Sequence, residues 1–472
     1  MIRSIGRTKY FNKNTIAFCI IAGIVAGLLS QISWTRWTNV VILIGAVIFG
    51  SLMIYKYHWI GILNIFLLSM VKFEPAPSDI LFIFLCIFGI IGGHLDFYRL
   101  KHSKTIIILP IVYAIINTLQ LYFIRDRAVG LRYYLITIYL MAFSLYIFLF
   151  VSKKNVIGIL RAYIYSSTFS TILGLSGYAG FLPSVLTYDH YRIMALFKDP
   201  NVLGPFLVAA VIILLDDIWE KRLFPGPIWL HISLIIMNLL GIIGTFSRGG
   251  WVNLLVCLVV YLALNINKIQ IKNLNIKKIT IYALLVVMIV SMIWSFVIGE
   301  EYKQFLYARI NLQSYDKDRF AIQRQGVTLA FTNTLGYGPG QFEYNVLRQT
   351  GEIFSAHNLY IRLAMENGVI GFIVFIGGII LIFYRLLLDY KQGRTYLAMT
   401  PACFIAILSG ILVNSLVIDT LHWRHFWFFI GLSMANSVVG VKEEIEDKSI
   451  NRLESSYALQ RYMEWYSRRQ RQ

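Results

Sequence analysis

One polar stretch late in the chain combines residue types that could carry out chemistry. Residues 335–371 read LGYGPGQFEYNVLRQTGEIFSAHNLYIRLAMENGVIG, with a glycine-rich turn that includes Gly338 and Gly340. His357 and Asn358 then open a helical pattern. Neutral histidine can accept a proton from a reacting hydroxyl, because its unperturbed pKa lies near working pH. His357 is therefore a candidate base, although a lone interfacial histidine more often has a structural role.

The helical pattern after His357 places three polar side chains on one stripe. Asn358, Arg362 and Glu366 follow at i, i+4 and i+8, so they share one helix face. Arg362 and Glu366 are then close enough to pair, which would be a structural role. Such pairing leaves His357 free to face a cavity.

Arginines occur at two further polar points between apolar runs. Arg248 lies in GTFSRGG (244–250), where small neighbours allow a ligand to approach closely. Arg319 begins a helical pattern that Asp316 or Asp318 could cap, and a cation in a first helical turn calls for a nearby anion. The alternatives are that Arg248 reaches headgroup phosphates and that the aspartates neutralise Arg319.

A fourth polar feature, YDHYRIMALFKDPNVLG (188–204), precedes another apolar run. Its simplest interpretation is a helix start, with Asn201 as the cap after Pro200. Arg192 lies just ahead, on the side of the membrane where basic residues are disfavoured. Arg192 and Asn201 are thus weaker candidates for substrate binding.

Together these four features suit a lipid-linked anionic substrate. Guanidinium groups stay ionised and fork two N–H groups onto phosphate oxygens. Held in apolar surroundings, they can stabilise the charge on a departing pyrophosphate while a histidine takes the proton of an attacking sugar hydroxyl.

The elements that must position these residues are membrane helices. Of 472 residues, 58% are hydrophobic and only 14% are charged, and mean hydropathy is +0.66. Apolar runs of bilayer-spanning length recur, and in hydrocarbon such runs must be helices. We predict an all-α polytopic membrane protein with about 12–14 spans. The predicted spans are 15–32, 38–55, 57–72, 79–95, 105–124, 131–151, 156–175, 201–215, 226–245, 249–266, 279–298, 369–388, 397–417 and 421–440.

Charge distribution predicts the orientation and the domains. The net charge is +19, and Lys and Arg concentrate in alternate loops and at the termini, which places both termini in the cytoplasm. The four polar features then face outward. We expect transmembrane helices over 1–298, an extracytoplasmic loop carrying the active site over 299–368, transmembrane helices over 369–440 and a cytoplasmic tail over 441–472.

Other site classes are disfavoured. No nucleic-acid motif accompanies the positive charge, and the cysteines and carboxylates lack metal-ligand spacing, so no metal or cofactor is predicted. Asp216 and Asp217 are interpreted as a solvated cytoplasmic helix end. A transporter or lipid-linked-sugar flippase would place ionisable groups near the midplane, often in repeated halves, and neither sign is found.

The order of the motifs FKDPNVLG (197–204), TFSRGG (245–250), RF (319–320), LGYGPGQF (335–342), HNLY (357–360) and ENGVIG (366–371) resembles the O-antigen ligase/polymerase family. The resemblance implies a metal-independent, inverting glycosyltransferase of the GT-C type in the bacterial plasma membrane. Its donor would be an oligosaccharide on undecaprenyl pyrophosphate, used at an extracytoplasmic active site.

The resemblance also implies roles for individual residues. Arg248 and Arg319 would bind the pyrophosphate and assist its departure, and His357 would be the base, with Asn358 beside it. Arg192, Asn201, Gly338, Gly340 and Glu366 are carried over as substrate-binding residues.

The family contains two activities that the sequence leaves open. A polymerase extends the chain with another lipid-linked repeat, whereas a ligase transfers a finished glycan to another acceptor such as lipid A core. The high number of predicted spans favours a polymerase that makes an O-antigen, capsule or teichuronic-acid-like polymer. Membrane lipids, a chain-length regulator and a flippase are the expected partners.

Overall fold

The apolar runs of the sequence form α-helices wherever the structure describes them. The computed structural model describes residues 48–189, 191–266, 314–351 and 354–437, together with residues 45, 304 and 307. The predicted spans 15–32 and 279–298, the start of 38–55 and the tail 441–472 lie outside these residues.

The described helices follow the predicted spans closely. They are α1 Ile48–Tyr55, α2 Tyr57–Phe66, α3 Pro77–Ile91, α4 Tyr98–His102, α5 Lys104–Gln120, α6 Arg127–Phe150, α7 Val156–Tyr178, α8 Pro200–Glu220, α9 Ile228–Gly244, α10 Arg248–Asn265, α11 Ser314–Thr332, α12 Phe342–Thr350, α13 Leu359–Lys391, α14 Pro401–Asn414 and α15 over residues 424–437. A two-residue hairpin pairs β1 Thr187–Tyr188 antiparallel with β2 Arg192–Ile193.

Five of the described helices are long and apolar enough to cross a membrane, namely α6, α7, α8, α10 and α13. The segments Ile48–Tyr55 and Tyr57–Ser69 meet at 91° and add a sixth if they form one span, where the sequence predicts two spans. Helices α3, α9 and α14 and the segment Ile107–Phe123 are apolar but shorter. The protein is therefore an all-α polytopic membrane protein.

The helices run in alternating directions, so their connections gather at two ends. At one end, here called the site end, α6, α8, α10 and α13 begin and α5, α7 and α14 finish, with contacts such as Tyr133 Oη to Asp419 Oδ2 at 2.6 Å. At the opposite end, Tyr390 donates to Leu264 and Arg99 donates to the Phe148 carbonyl. Arg192, Arg248 and His357, which are predicted to face outward, lie at the site end.

Helix α8 lies in the middle of the bundle and is almost entirely buried. A Cβ added to Gly204 of α8 would lie 3.4 Å from the Cα of Gly250 in α10, so the two helices touch backbone to backbone. Helix α10 packs most extensively against α14, again through glycines. These close approaches fix the start of α10 in the bundle with little room for adjustment.

Helix α13 is broken at Gly368, which has φ 66° and ψ −178°. The break prevents Val369 N–H from bonding within the helix, and it donates instead to the Thr334 carbonyl at 2.9 Å. In return the Met365 carbonyl accepts from Tyr337 N–H at 3.1 Å. The glycine-rich turn and the broken helix thus satisfy each other's backbone groups.

Two predicted helix starts are wrong. Asp199, not Asn201, caps α8, since its carboxylate accepts from Asn201 N–H at 2.8 Å while Pro200 occupies the first helical position. Helix α11 begins at Ser314, so Arg319 lies in its second turn rather than its first. The cap argument that called for an anion at Arg319 therefore does not hold.

The prediction for Asp216 and Asp217 is also wrong, because both side chains are buried. Asp217 accepts hydrogen bonds from the backbone N–H groups of residues 222, 223 and 224 and from His231. Asp216 accepts from Thr400 and from Tyr261. They tie the connections of the opposite end together instead of facing water.

Candidate functional site

Three helix N-termini meet at the site end, those of α8, α10 and α13. Each has a side-chain cap: Asp199 for α8, Ser247 for α10 and Asn358 for α13. Ser247 Oγ also donates to Asn201 Oδ1 at 2.9 Å, which joins the first two helix starts. Because each helix N-terminus carries partial positive charge, their meeting point favours an anion. We call this region the capped-helix site.

Residues 414–416 at the C-terminal end of α14, here called the α14 turn, hold the starts of α10 and α13 side by side. The Ser415 carbonyl accepts from Leu359 N–H and the Leu416 carbonyl accepts from Asn358 Nδ2, both at 2.9 Å. A Cβ added to Gly249 would lie only 2.5 Å from Asn414 Oδ1. The same turn therefore anchors the residue after Arg248 and the residue after His357.

Arg248 is the first residue of α10 and is half-buried. A cation at a helix N-terminus is unfavourable unless an anion is near, so the argument that failed for Arg319 applies to Arg248. The two residues after Arg248 are glycines because their backbones are closely packed: Gly249 contacts Asn414 and Gly250 contacts α8. The motif fixes the backbone from which the Arg248 side chain extends.

Arg192 and Asn201 contact each other, and Arg192 is buried. Its Nε donates to the Thr245 carbonyl at 2.8 Å and its Nη2 donates to Asn201 Oδ1 at 2.9 Å. Asn201 Oδ1 thus accepts from both Arg192 and Ser247. These contacts place the pair under the capped-helix site, where they support the starts of α8 and α10.

His357 precedes the cap of α13 and has a positive φ of 42°. Its carbonyl accepts from Gln323 Nε2 at 3.3 Å, and Gln323 lies one helical turn after Arg319 in α11. Burial lowers the pKa of His357, and the positive charges of Arg319 and Arg362 lower it further. The imidazole is therefore neutral at working pH, which is the form that can accept a proton.

The lowered pKa of His357 predicts the pH dependence of turnover. Because the neutral base persists when pH falls through 6.5, the ordinary value, the acidic limb of kcat/KM should lie below that pH. The measurement is the rate of donor consumption from about pH 4.5 to about pH 8.5. An acidic limb at or above 6.5 would contradict the assignment of His357 as the base.

The stripe predicted on α13 forms a buried ionic cluster around Arg362. Its guanidinium contacts Glu366 at 2.8 Å and Asp419 at 2.8 Å, and it also contacts Glu343. The ring of Tyr133 lies against it, with 4.9 Å between ring centroid and guanidinium carbon. The pairing of Arg362 with Glu366 is confirmed, and the cluster includes two further carboxylates.

Glu366 also holds the glycine-rich turn. Its carboxylate accepts from Gly340 N–H at 2.8 Å and Phe342 N–H at 3.1 Å, and its carbonyl accepts from Gly338 N–H at 2.9 Å. All four residues are buried. Glu366 thus accepts hydrogen bonds from the N–H groups that Gly338 and Gly340 would otherwise offer to a phosphate. The three residues hold the glycine-rich turn against α13, behind the site.

Asn358 has its hydrogen-bonding groups engaged in the same way. Its Oδ1 accepts from Ile361 N–H at 3.1 Å while its Nδ2 binds the α14 turn. The structure therefore brings Arg192, Asn201, Arg248, Arg319, His357 and Asn358 to the site end, but it turns Asn358 toward the protein.

The sequence prediction missed Asp419, which joins the Arg362 cluster from the connection between α14 and α15. Asp419 accepts from Tyr133 Oη, and burial would raise its pKa, yet the charge of Arg362 holds that pKa below its usual value. The His422 ring packs against Tyr133 at a tilt of 45°, and burial lowers the pKa of His422 to about 4. The available signal was an acidic residue, Asp419, in the short gap between the predicted spans 397–417 and 421–440.

Within the described residues, no three His, Cys, Asp and Glu side chains are grouped so that they could hold a metal ion. The positive groups around the capped-helix site are guanidinium groups and helix N-termini, and the Asp199 carboxylate caps one of these helices. Their arrangement can bind an oxyanion and leave a neutral imidazole beside it.

Part of the chain is similar to a known protein family. Residues 232–376 match the model of the family described as O-antigen ligase, and no curated protein matches the chain. The matched segment contains Arg248, Arg319 and His357, while Arg192, Asn201 and the α14 turn lie outside it. The segment that carries these three residues is therefore similar to the O-antigen ligase family.

Proposed function

We propose that this protein is an extracytoplasmic polymerase of oligosaccharide repeats carried on undecaprenyl pyrophosphate. Its product would be a cell-surface polysaccharide such as an O-antigen, a capsule or a teichuronic-acid-like polymer. The observation that carries the proposal is the α14 turn, which holds the starts of α10 and α13, and hence Arg248 and His357, side by side.

The reaction is a single displacement at the anomeric carbon of the donor sugar. The acceptor hydroxyl loses its proton to His357 as its oxygen bonds to that carbon, and the carbon–oxygen bond to pyrophosphate breaks. The electron pair leaves with the pyrophosphate, so the configuration inverts. A neutral imidazole is a competent proton acceptor for this step.

Arg248 and Arg319 receive the charge that develops on the leaving group. Guanidinium groups bind phosphate oxygens through paired N–H groups, and the three helix N-termini add partial positive charge from the backbone. Preorganised donors of this kind stabilise developing charge without rearranging during the reaction. In the proposed mechanism they supply the charge that other glycosyltransferases obtain from a divalent cation.

The capped-helix site faces outward if the basic connections of the opposite end are cytoplasmic. Lys153, Lys154, Lys391 and Arg394 all lie at that opposite end, which is the pattern of the positive-inside bias. We therefore propose a bacterial plasma membrane location with an extracytoplasmic site. A flippase would deliver the lipid-linked donor, and a chain-length regulator is the expected partner.

Ligase activity is the second candidate, because the matched family model is described as O-antigen ligase. The same site serves a ligase without change, since only the molecule that carries the attacking hydroxyl differs. The two activities are therefore distinguished by which molecule binds as the acceptor.

The test uses purified protein in detergent with one short undecaprenyl-pyrophosphate-linked oligosaccharide as the sole substrate. We expect a ladder of glycan multiples, because donor and acceptor are then the same molecule. Products are separated by length after release from the lipid. Donor consumption only after a second acceptor is added would establish a ligase. Donor that remains intact under every condition would refute glycosyl transfer.

A further inference from the structure

Asn414, the last residue of α14, has a side chain that the fold does not satisfy. It is 1% exposed, and neither its amide oxygen nor its amide nitrogen has a hydrogen-bond partner among the described residues. Its backbone carbonyl is engaged, accepting from Val417 N–H at 3.0 Å. A buried, unpartnered amide lowers stability, whereas an apolar residue of similar size does not. Asn414 therefore calls for a partner.

The position of Asn414 indicates which partner that is. Its Oδ1 lies where a side chain on Gly249 would begin, so it sits against the backbone directly after Arg248. The neighbouring carbonyls of Ser415 and Leu416 anchor the start of α13. Asn414 is thus a polar group of the α14 turn that lies against the backbone next to Arg248.

The hydrogen-bonding inventory of arginine supplies the chemical reason. A guanidinium has five N–H donors and no acceptor, and a phosphate fork uses two of them. The donors that point away from the phosphate then need oxygen acceptors. Asn414 Oδ1 is an acceptor without a donor, beside the first turn of α10.

We propose that Asn414 is a positioning residue, whose Oδ1 accepts an N–H of Arg248 when that guanidinium binds the pyrophosphate of the lipid-linked donor. This inference rests on the proposed function for the identity of the anion. It assigns to α14 a part in donor binding that lies outside the matched family segment. Asn414 acts through Arg248 and makes no contact with the sugar.

The chain provides a matched control in Asn64 of α2. Its side chain is also buried with both amide atoms unpartnered among the described residues, and α2 packs on α3 and α7 rather than at the capped-helix site. Asn64→Leu and Asn414→Leu therefore make the same chemical change in two places. Asn414→Asp keeps an acceptor at the same distance from the backbone.

The experiment measures thermal unfolding in detergent, kcat and KM for the donor, and binding of undecaprenyl pyrophosphate by its stabilising effect on unfolding. We expect both leucine variants to unfold at or above the wild-type temperature. Asn414→Leu should lose at least tenfold in kcat/KM and bind undecaprenyl pyrophosphate at least tenfold more weakly. Asn414→Asp should recover most of that loss, and Asn64→Leu should behave as wild type.

Three results would overturn the proposal. One is an Asn414→Leu variant with wild-type turnover and wild-type binding. Another is a lowered unfolding temperature with unchanged activity per folded molecule, which would make Asn414 a helix-packing residue only. The third is a wild-type protein that undecaprenyl pyrophosphate does not stabilise. If the wild type binds the lipid but consumes no donor, the proposed function fails, while the binding comparison still decides the role of Asn414.

Discussion

We expect His357→Ala to lower turnover of the lipid-linked donor by roughly a hundredfold to ten-thousandfold, the usual contribution of a general base. The neutral imidazole lies at the start of α13, beside the start of α10 that carries Arg248. Without it, the acceptor hydroxyl would have to lose its proton to water. Arg248→Ala should be as damaging, because the departing pyrophosphate would lose its fork of N–H donors.

The measurement is donor consumption by purified variants at equal concentrations of folded protein. His58→Ala is the matched control, since His58 is exposed near the opposite end of the bundle. Both active-site variants should express and insert as the control does, because neither side chain is buried in the core. Full activity in either variant would refute the role assigned to that residue.

The second large effect concerns stability and is expected at Gly368. An added Cβ would lie 2.4 Å from the Thr334 carbonyl oxygen, and the backbone has a conformation that is essentially restricted to glycine. Gly368→Ala combines this strain with a clash against backbone, which we expect to cost at least about 3 kcal/mol. Either the hydrogen bonds between the glycine-rich turn and α13 would break, or the protein would not accumulate.

Gly377→Ala in the same helix provides the comparison, because no atom lies within 4 Å of a Cβ added there. Alanine is favoured over glycine within a helix by about 0.5–1 kcal/mol, so this variant should be as stable as wild type or more stable. Thermal unfolding in detergent separates the two. Equal unfolding temperatures for both variants would show that the break at Gly368 is not needed.

The sequence predicts the helices well because a membrane helix is a local property. Apolar length alone locates α6, α7, α8, α10 and α13, since every backbone group in hydrocarbon must be satisfied within the segment. The residues with a candidate chemical role were also recognisable, because Arg248, Arg319 and His357 interrupt apolar runs. Their roles stay predictions until variants are measured.

The sequence could not predict which polar side chains the protein uses for itself. Glu366 binds Gly340, 26 residues earlier, and Arg362 meets Asp419 from another connection. Such pairings depend on how distant helix ends meet, which spacing along one helix does not encode. The prediction that Asn201 caps α8 is wrong for a more local reason, because Asp199, two residues earlier, takes the capping position.

The buried carboxylates of Asp216 and Asp217 restrict which end of the bundle can open. Together they accept hydrogen bonds from backbone groups, Thr400, Tyr261 and His231, and Arg161 closes over the same connection by donating to the Leu223 carbonyl. Hydrogen bonds to a charged group are worth about 1.5–3 kcal/mol each. Opening this end of the bundle to admit a substrate would break many of them.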